Sequence, residues 1–433
     1  MPTRREVLRL GALSVFGTMT ASSHASGTVR PSRKCIFIML QGGPSHIDMW
    51  DPKPEAAAEV RGPFGVASTR TPGLMLTDLS PETARVSEHV MVVRSMTHRF
   101  NNHIAGTYIM LTGSDDQPDA DREAKADDVP GPGAILNYLA GAGSPVPVAI
   151  SLPTWLSIPG PSNRMPGQYA GFLGSSHDPF LIQGEPQKPD FRPLSLTLPD
   201  DVSARRFTSR EALLAGVDRA TRQAETAAAA TRDRLYESAF GLLTNPRFRD
   251  ALDLSKESPA VRERYGMTKI GQSLLLARRL IEAGVTLVGF NEFNQHWDTH
   301  GAIENSLKDR VPPMDRAFAA LVSDLADRGL LDETLVINTG EFGRTPVINN
   351  QAGRDHWPDV YSLLLAGGGI RGGAVWGRSD QRGAYVHSDP VTPSDLLATM
   401  WHCLGIPPET EIRDRLNRPH RLTQGRVMNE WLA

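Results

Sequence analysis

Short, continuous apolar runs recur along this chain, and in its C-terminal half they alternate with stretches of helical spacing. Cys35-Ile36-Phe37-Ile38-Met39-Leu40 is the first run, and it stops at the turn residues Gln41-Gly42-Gly43-Pro44. Val90 to Val93, Val146 to Leu152, Val285 to Phe290, Leu335 to Asn338 and Tyr361 to Ala366 read the same way. Such runs are what strands buried on both faces look like. A helix is expected over Ile270 to Ala283. Another is expected from about Pro312 to Arg328, where Met314, Phe318, Leu321 and Leu325 recur at helical spacing. This helix–strand alternation predicts an α/β fold: a central, mostly parallel sheet with helices on both faces.

The middle of the chain breaks the pattern. Asp115 to Pro132 is acidic and rich in Pro and Gly, so it reads as a loop. Ser151 to Pro199 is poor in periodicity, as a lid or binding wall would be. Ser209 to Thr244 is Ala- and Arg-rich and reads as an inserted helical layer. The expected organisation is therefore a single domain over residues 33-433, with an insertion at about 115-265. No internal repeat is visible.

The first residues read as a targeting segment. Arg4-Arg5 precedes a mildly apolar stretch from Leu10 to Met19, and Ser23-His24-Ala25 follows as a cleavage site. Residues 1-25 thus resemble a twin-arginine export signal. The expectation is an exported product, periplasmic or extracellular, that meets the twin-arginine export machinery. The apolar stretch is shorter than the ~20 residues of a spanning helix, and no stable membrane span is expected elsewhere. A net charge of -3 and the lack of a basic run give no reason to expect nucleic acid as a partner. Cys35 and Cys403 are too few for a zinc ribbon or a disulfide framework, and read as two buried thiols.

Histidines carry the chemistry. His46, His98, His103, His296, His300, His356 and His387 stand in or just after turns beside Asp, Glu, Asn or Gly. In open parallel sheets, ligands bind beyond the carboxyl ends of strands. Asp48 and His46 follow the first run and are placed to bind a cation. His98 and His103 are too far apart for one helix face, so they mark a loop or a helix start. His296-Trp297-Asp298-Thr299-His300 puts three ligand types on one side if the segment is extended. Glu341 follows Leu335 to Asn338. Arg344 is either an anion clamp or a structural ion-pair partner. His356 is a further ligand, with Asp355 as its partner.

Together these motifs resemble a known family. They are Gln41-Gly42-Gly43-Pro44-Ser45-His46-Ile47-Asp48, Asn102-His103 with Leu111-Thr112-Gly113, His296-Trp297-Asp298-Thr299-His300-Gly301, Gly340-Glu341-Phe342-Gly343-Arg344-Thr345-Pro346 and Gly353-Arg354-Asp355-His356-Trp357-Pro358. The chain resembles the exported domain-of-unknown-function family fifteen-oh-one, which is similar to the alkaline phosphatase and sulfatase superfamily. The resemblance implies an alkaline-phosphatase-like fold and metal-dependent hydrolysis of phosphate or sulfate esters, with a small-molecule or glycan ester as substrate. It implies a metal site of Asp48, Asp298, His300, Glu341 and His356, with His46 and His296 close by. Zinc is the first candidate, with calcium, manganese or iron as alternatives. The departure is at the nucleophile, because His103 stands where sulfatases carry Cys or Ser. The expected catalytic groups are His103 and Arg344. Three readings follow: hydrolysis by a metal-activated water, covalent transfer through His103, or a non-catalytic metal- or anion-binding protein on the same fold.

Overall fold

In a computed structural model, the structure describes residues 33–141, 146–158, 164–191, 245–292 and 295–433. The expected signal segment and the helical layer expected over Ser209 to Thr244 lie outside the described residues.

Eight strands form the central sheet: β1 (Lys34–Met39), β2 (Val90–Met96), β3 (Ala149–Leu152), β4 (Phe180–Leu181), β5 (Leu287–Asn291), β6 (Thr334–Thr339), β7 (Tyr361–Ala366) and β8 (Ala374–Trp376). Their order is β8-β2-β7-β6-β1-β5-β3-β4. β1 pairs in parallel with both β5 and β6. β7 alone runs against its neighbours β2 and β6. The expected α/β class is therefore what the chain adopts. The described part of the Pro/Gly-rich stretch after Ser151 is largely irregular, but it also contributes β4 at the sheet edge.

Alternation along each strand sends side chains to opposite faces, and this builds two cores. Ile36 and Ile38 point to one, Cys35, Phe37 and Met39 to the other. The first core packs under α3 (Lys269–Glu282) and α4 (Ile303–Asp327). The second packs under α1 (His103–Thr112), α2 (Pro132–Ala140) and α5 (Pro393–Cys403). Cys35 and Cys403 are free and buried, as their number suggested.

One helix boundary departs from the sequence reading. α4 begins at Ile303, not near Pro312, and carries Pro312 and Pro313 inside it. Proline removes a helical hydrogen bond and ordinarily breaks the helix. Here Ile303, Leu307 and Val311 are buried on the side facing the core, and their packing holds the first turns in line.

β1, β2, β5 and β6 all end at the same edge of the sheet, so their following loops meet there. Gly42 lets two of these loops touch. It has φ 118°, and a Cβ on it would lie 2.4 Å from the Asp298 amide nitrogen. The Asn102 side chain caps α1 by accepting from the amides of Ile104 and Ala105. That cap makes His103 the first residue of α1 and fixes where its ring emerges.

Candidate metal centre

Asp298 is the hub of the strand-end site. Its Oδ1 lies 3.1 Å from His300 Nε2 and 3.4 Å from His356 Nε2, and its Oδ2 lies 3.4 Å from His103 Nε2. One ligand atom each from His103, Asp298 and His356 falls within a 4.8 Å cluster. His300 Nε2 is 3.1 Å from His356 Nε2. The Phe342 ring lies beneath, with its centroid 5.0 Å from that of His103 and 4.6 Å from that of His356.

The other nitrogen of each ring settles its tautomer. His103 Nδ1 donates to Glu341 Oε1 at 2.6 Å, His300 Nδ1 to Asp355 Oδ1 at 2.7 Å, and His356 Nδ1 to the Asn101 carbonyl at 2.8 Å. Carboxylates and carbonyls only accept, so each Nδ1 carries the proton. In the neutral rings every Nε2 is then a bare lone pair. Three such lone pairs converge on a carboxylate, and two of them face each other. His103 Nε2 is buried and has no hydrogen-bond partner. Lone pairs crowded in this way repel unless a cation sits among them. Imidazole nitrogen with carboxylate oxygen is a zinc, manganese or iron donor set, and the residues present fit such an ion. Burial alone would push the His103 ring down, but the Asp298 and Glu341 carboxylates outweigh it and raise its pKa to about 9, so without a metal the ring holds a proton on Nε2 at neutral pH, and a metal ion there would replace that proton. Burial would raise the Asp298 carboxyl, yet His103, His356 and Arg344 hold it well below the usual carboxylate range.

The sequence-predicted residues separate into two groups. Asp298, His300, His356 and His103 converge. Glu341 adjoins them but turns its carboxylate to His103 Nδ1 and to the Gly42 amide, whose nitrogen is 2.8 Å from Oε1 and 3.1 Å from Oε2.

Asp48, His46 and His296 do not join them. The Asp48 carboxylate is fully buried against Arg354, with Nε at 2.7 Å and Nη2 at 3.2 Å, and it accepts from Ser45 Oγ. A closed, two-pronged ion pair leaves it unavailable to the centre. His46 Nε2 donates to the Gly383 carbonyl at 2.8 Å. His296 is separated because His296 to His300 is a turn and not an extended strand. The Trp297 side chain is buried in the core, its amide bonds the Gln41 carbonyl, and the Asp298 amide bonds the Gln295 carbonyl. Burial of the indole overrides the alternation.

Arg344 is a structural partner and not an anion clamp. Its guanidinium is fully buried and donates to the carbonyls of Gly42, Gly43 and Arg354 and to Asp298 Oδ1, at 2.6 Å for the last. It fixes the Asp298 carboxylate. Sequence reasoning missed the pairing role of Arg354, although that residue stood inside a quoted motif. It also missed the Asn101 carbonyl, which no side chain announces.

Two predictions follow from these placements. Breaking a buried ion pair leaves an uncompensated charge and costs about 3–5 kcal/mol. Arg354→Met is therefore expected to lower the urea midpoint sharply. Asp48→Asn is expected to leave metal content intact in the protein that folds, and loss of metal in Asp48→Asn would restore Asp48 to the ligand set. The second concerns His46, whose burial pushes its pKa down to about 4 against an ordinary 6.5. The unfolded chain takes up this proton below about pH 6.5, while the folded chain resists it until about pH 4. Stability is thus complete above 6.5 and declines as pH falls through that window, by on the order of 3 kcal/mol. His46→Gln is expected to flatten the dependence of the urea midpoint on pH between 6.5 and 4; an unchanged slope would contradict a buried neutral His46.

No curated protein matches the chain in sequence. Solved structures with a similar arrangement include the PsFucS1 sulfatase from Pseudoalteromonas sp., at 12% identity and TM-score 0.39, covering 94% of this chain and 72% of that one. The phosphonate monoester hydrolase SpPMH from Silicibacter pomeroyi is similar at 11% identity and TM-score 0.35, covering 92% and 76%. Ps i-CgsB is similar at 11% identity and TM-score 0.41, covering 93% and 76%. Likenesses this distant carry no functional argument. The family described as "Protein of unknown function (DUF1501)" matches residues 32–432, nearly the whole chain, and the protein belongs to it.

Proposed function

We propose that this protein is an exported, metal-dependent hydrolase of phosphate or sulfate esters, acting on a small-molecule or glycan ester. The observation that carries the reading is the convergence of three Nε2 lone pairs on Asp298, with every Nδ1 already bonded elsewhere. His103, His300, His356 and Asp298 would hold the ion. A bound divalent cation supplies Lewis acidity and a nucleophilic water at neutral pH. Arg344 keeps the Asp298 carboxylate in place, and Phe342 gives the rings an apolar floor that excludes water from beneath.

His103 fits the ligand role better than covalent transfer. Its Nδ1 is bonded to Glu341 and its Nε2 is turned toward Asp298, so neither nitrogen is presented to an incoming ester. The reading as a non-catalytic binding protein is less well supported. His300 and Asp355 have side chains 44% and 54% exposed, so the centre is open to a substrate on that side. Arg344 is closed to anions, which argues against anion binding without a metal.

Purified mature protein is expected to hold close to one equivalent of a transition metal by elemental analysis, and Asp298→Ala to lose it. Metal-free wild type, with Asp298→Ala unchanged in stability, would end the metal reading. A panel of aryl phosphate monoesters, phosphodiesters and sulfate esters is expected to be turned over by the loaded protein and not by Asp298→Ala. Loading without turnover of any ester would favour the binding protein.

Export rests on Arg4-Arg5 and the weakly apolar stretch behind it. No described helix is long and apolar enough to cross a membrane. A reporter fused behind residues 1–32 is expected to be exported only when the twin-arginine machinery is intact, and not after Arg4-Arg5→Lys-Lys. Export of that variant at the normal rate would refute the route.

A further inference from the structure

Glu341 presents a second problem of charge. Its carboxylate is fully buried, and the bonds it makes are to the Gly42 amide and His103 Nδ1. No Lys or Arg among the described residues is hydrogen-bonded to it. The nearby Arg344 directs its donors to Asp298 and three carbonyls. An isolated buried carboxylate is costly unless its partner carries positive charge. The His103 ring supplies that charge when a cation, either a metal ion or a second proton, sits on its Nε2. Asp355 holds His300 by the same kind of bond, but its side chain is 54% exposed and it also accepts from Asn349 Nδ2 at 3.2 Å. Asp355 is open to solvent, and Glu341 is not.

We propose that Glu341 is a positioning residue, not a ligand: it holds His103 in the Nδ1–H tautomer with Nε2 aimed at the cation, and its buried charge is balanced by that cation through the ring. This rests on the metal-centre reading above. Gly42 is part of the device, because its amide contacts both carboxylate oxygens and prevents rotation. The exposed Asp355 performs the weaker version of the same task for His300.

A positioning carboxylate differs from a purely structural one in that its loss weakens metal binding, and does so only through the ring it holds. Removing the charge by Glu341→Gln is expected to weaken zinc binding roughly 10- to 100-fold, the usual effect of losing such a partner. Asp355→Asn is expected to weaken zinc by less than about threefold, since that bond is shared with water. In a His103→Ala background, Glu341→Gln is expected to leave zinc affinity unchanged, since Glu341 acts only through that ring. The measurement is zinc affinity by chelator competition, with thermal melting as the check that each variant is folded. Zinc binding equal to wild type in Glu341→Gln overturns the proposal and leaves the metal centre standing. So does a Glu341→Gln protein that fails to fold. A full loss of zinc on Glu341→Gln that persists in the His103→Ala background makes Glu341 a ligand and overturns it also. Wild type that binds no zinc or other divalent ion overturns both readings together.

Discussion

Three imidazole rings are held with their lone pairs pointing at one another around a single carboxylate, and most of the architecture at this edge of the sheet serves to keep them there. Each ring is fixed from behind by a different acceptor: a buried carboxylate, an exposed carboxylate and a peptide carbonyl. The crowding is costly in water without a cation and favourable with one. On the proposed reading metal binding and local stability are coupled, as they are wherever ligands are gathered before the ion arrives.

Secondary structure delivers the four groups from separate parts of the chain. The Asn102 cap starts α1 at His103, and the short ribbon that pairs His356 with Arg344 carries the third ring. Trp297 anchors the loop that bears Asp298 and His300 by burying its indole in the core. Gly42 and Gly353 allow the loops to close on one another. A Cβ on Gly353 would lie 2.1 Å from the His300 carbonyl carbon. Arg344 and Arg354 then lock the arrangement from below, one on Asp298 and one on Asp48. Arg344 could be read from the sequence as an anion clamp or a structural partner, and both guanidinia serve as internal struts.

The sheet was legible because its strands are buried on both faces and read as unbroken apolar runs. Tyr361 to Ala366 appears in the structure with the expected bounds, and the other long strands differ by a few residues at their ends. The clustering of histidines in turns pointed to the right loops. What a sequence does not contain is the partner of each side chain. Asp48 and Asp298 both follow strand ends and look equivalent, but one meets Arg354 in a closed pair and the other meets three rings. His296 and His300 flank Asp298 symmetrically in sequence, and the burial of Trp297 breaks that symmetry. The bond from His356 to a backbone carbonyl leaves no trace in residue identity.

X-ray absorption at the edge of the metal carried by the purified protein tests the central claim most directly. The account predicts a first shell of nitrogen and oxygen at ~2.0–2.2 Å, with outer-shell scattering from three imidazole rings. A shell of oxygen alone, or a signal with no more than one imidazole, would contradict it.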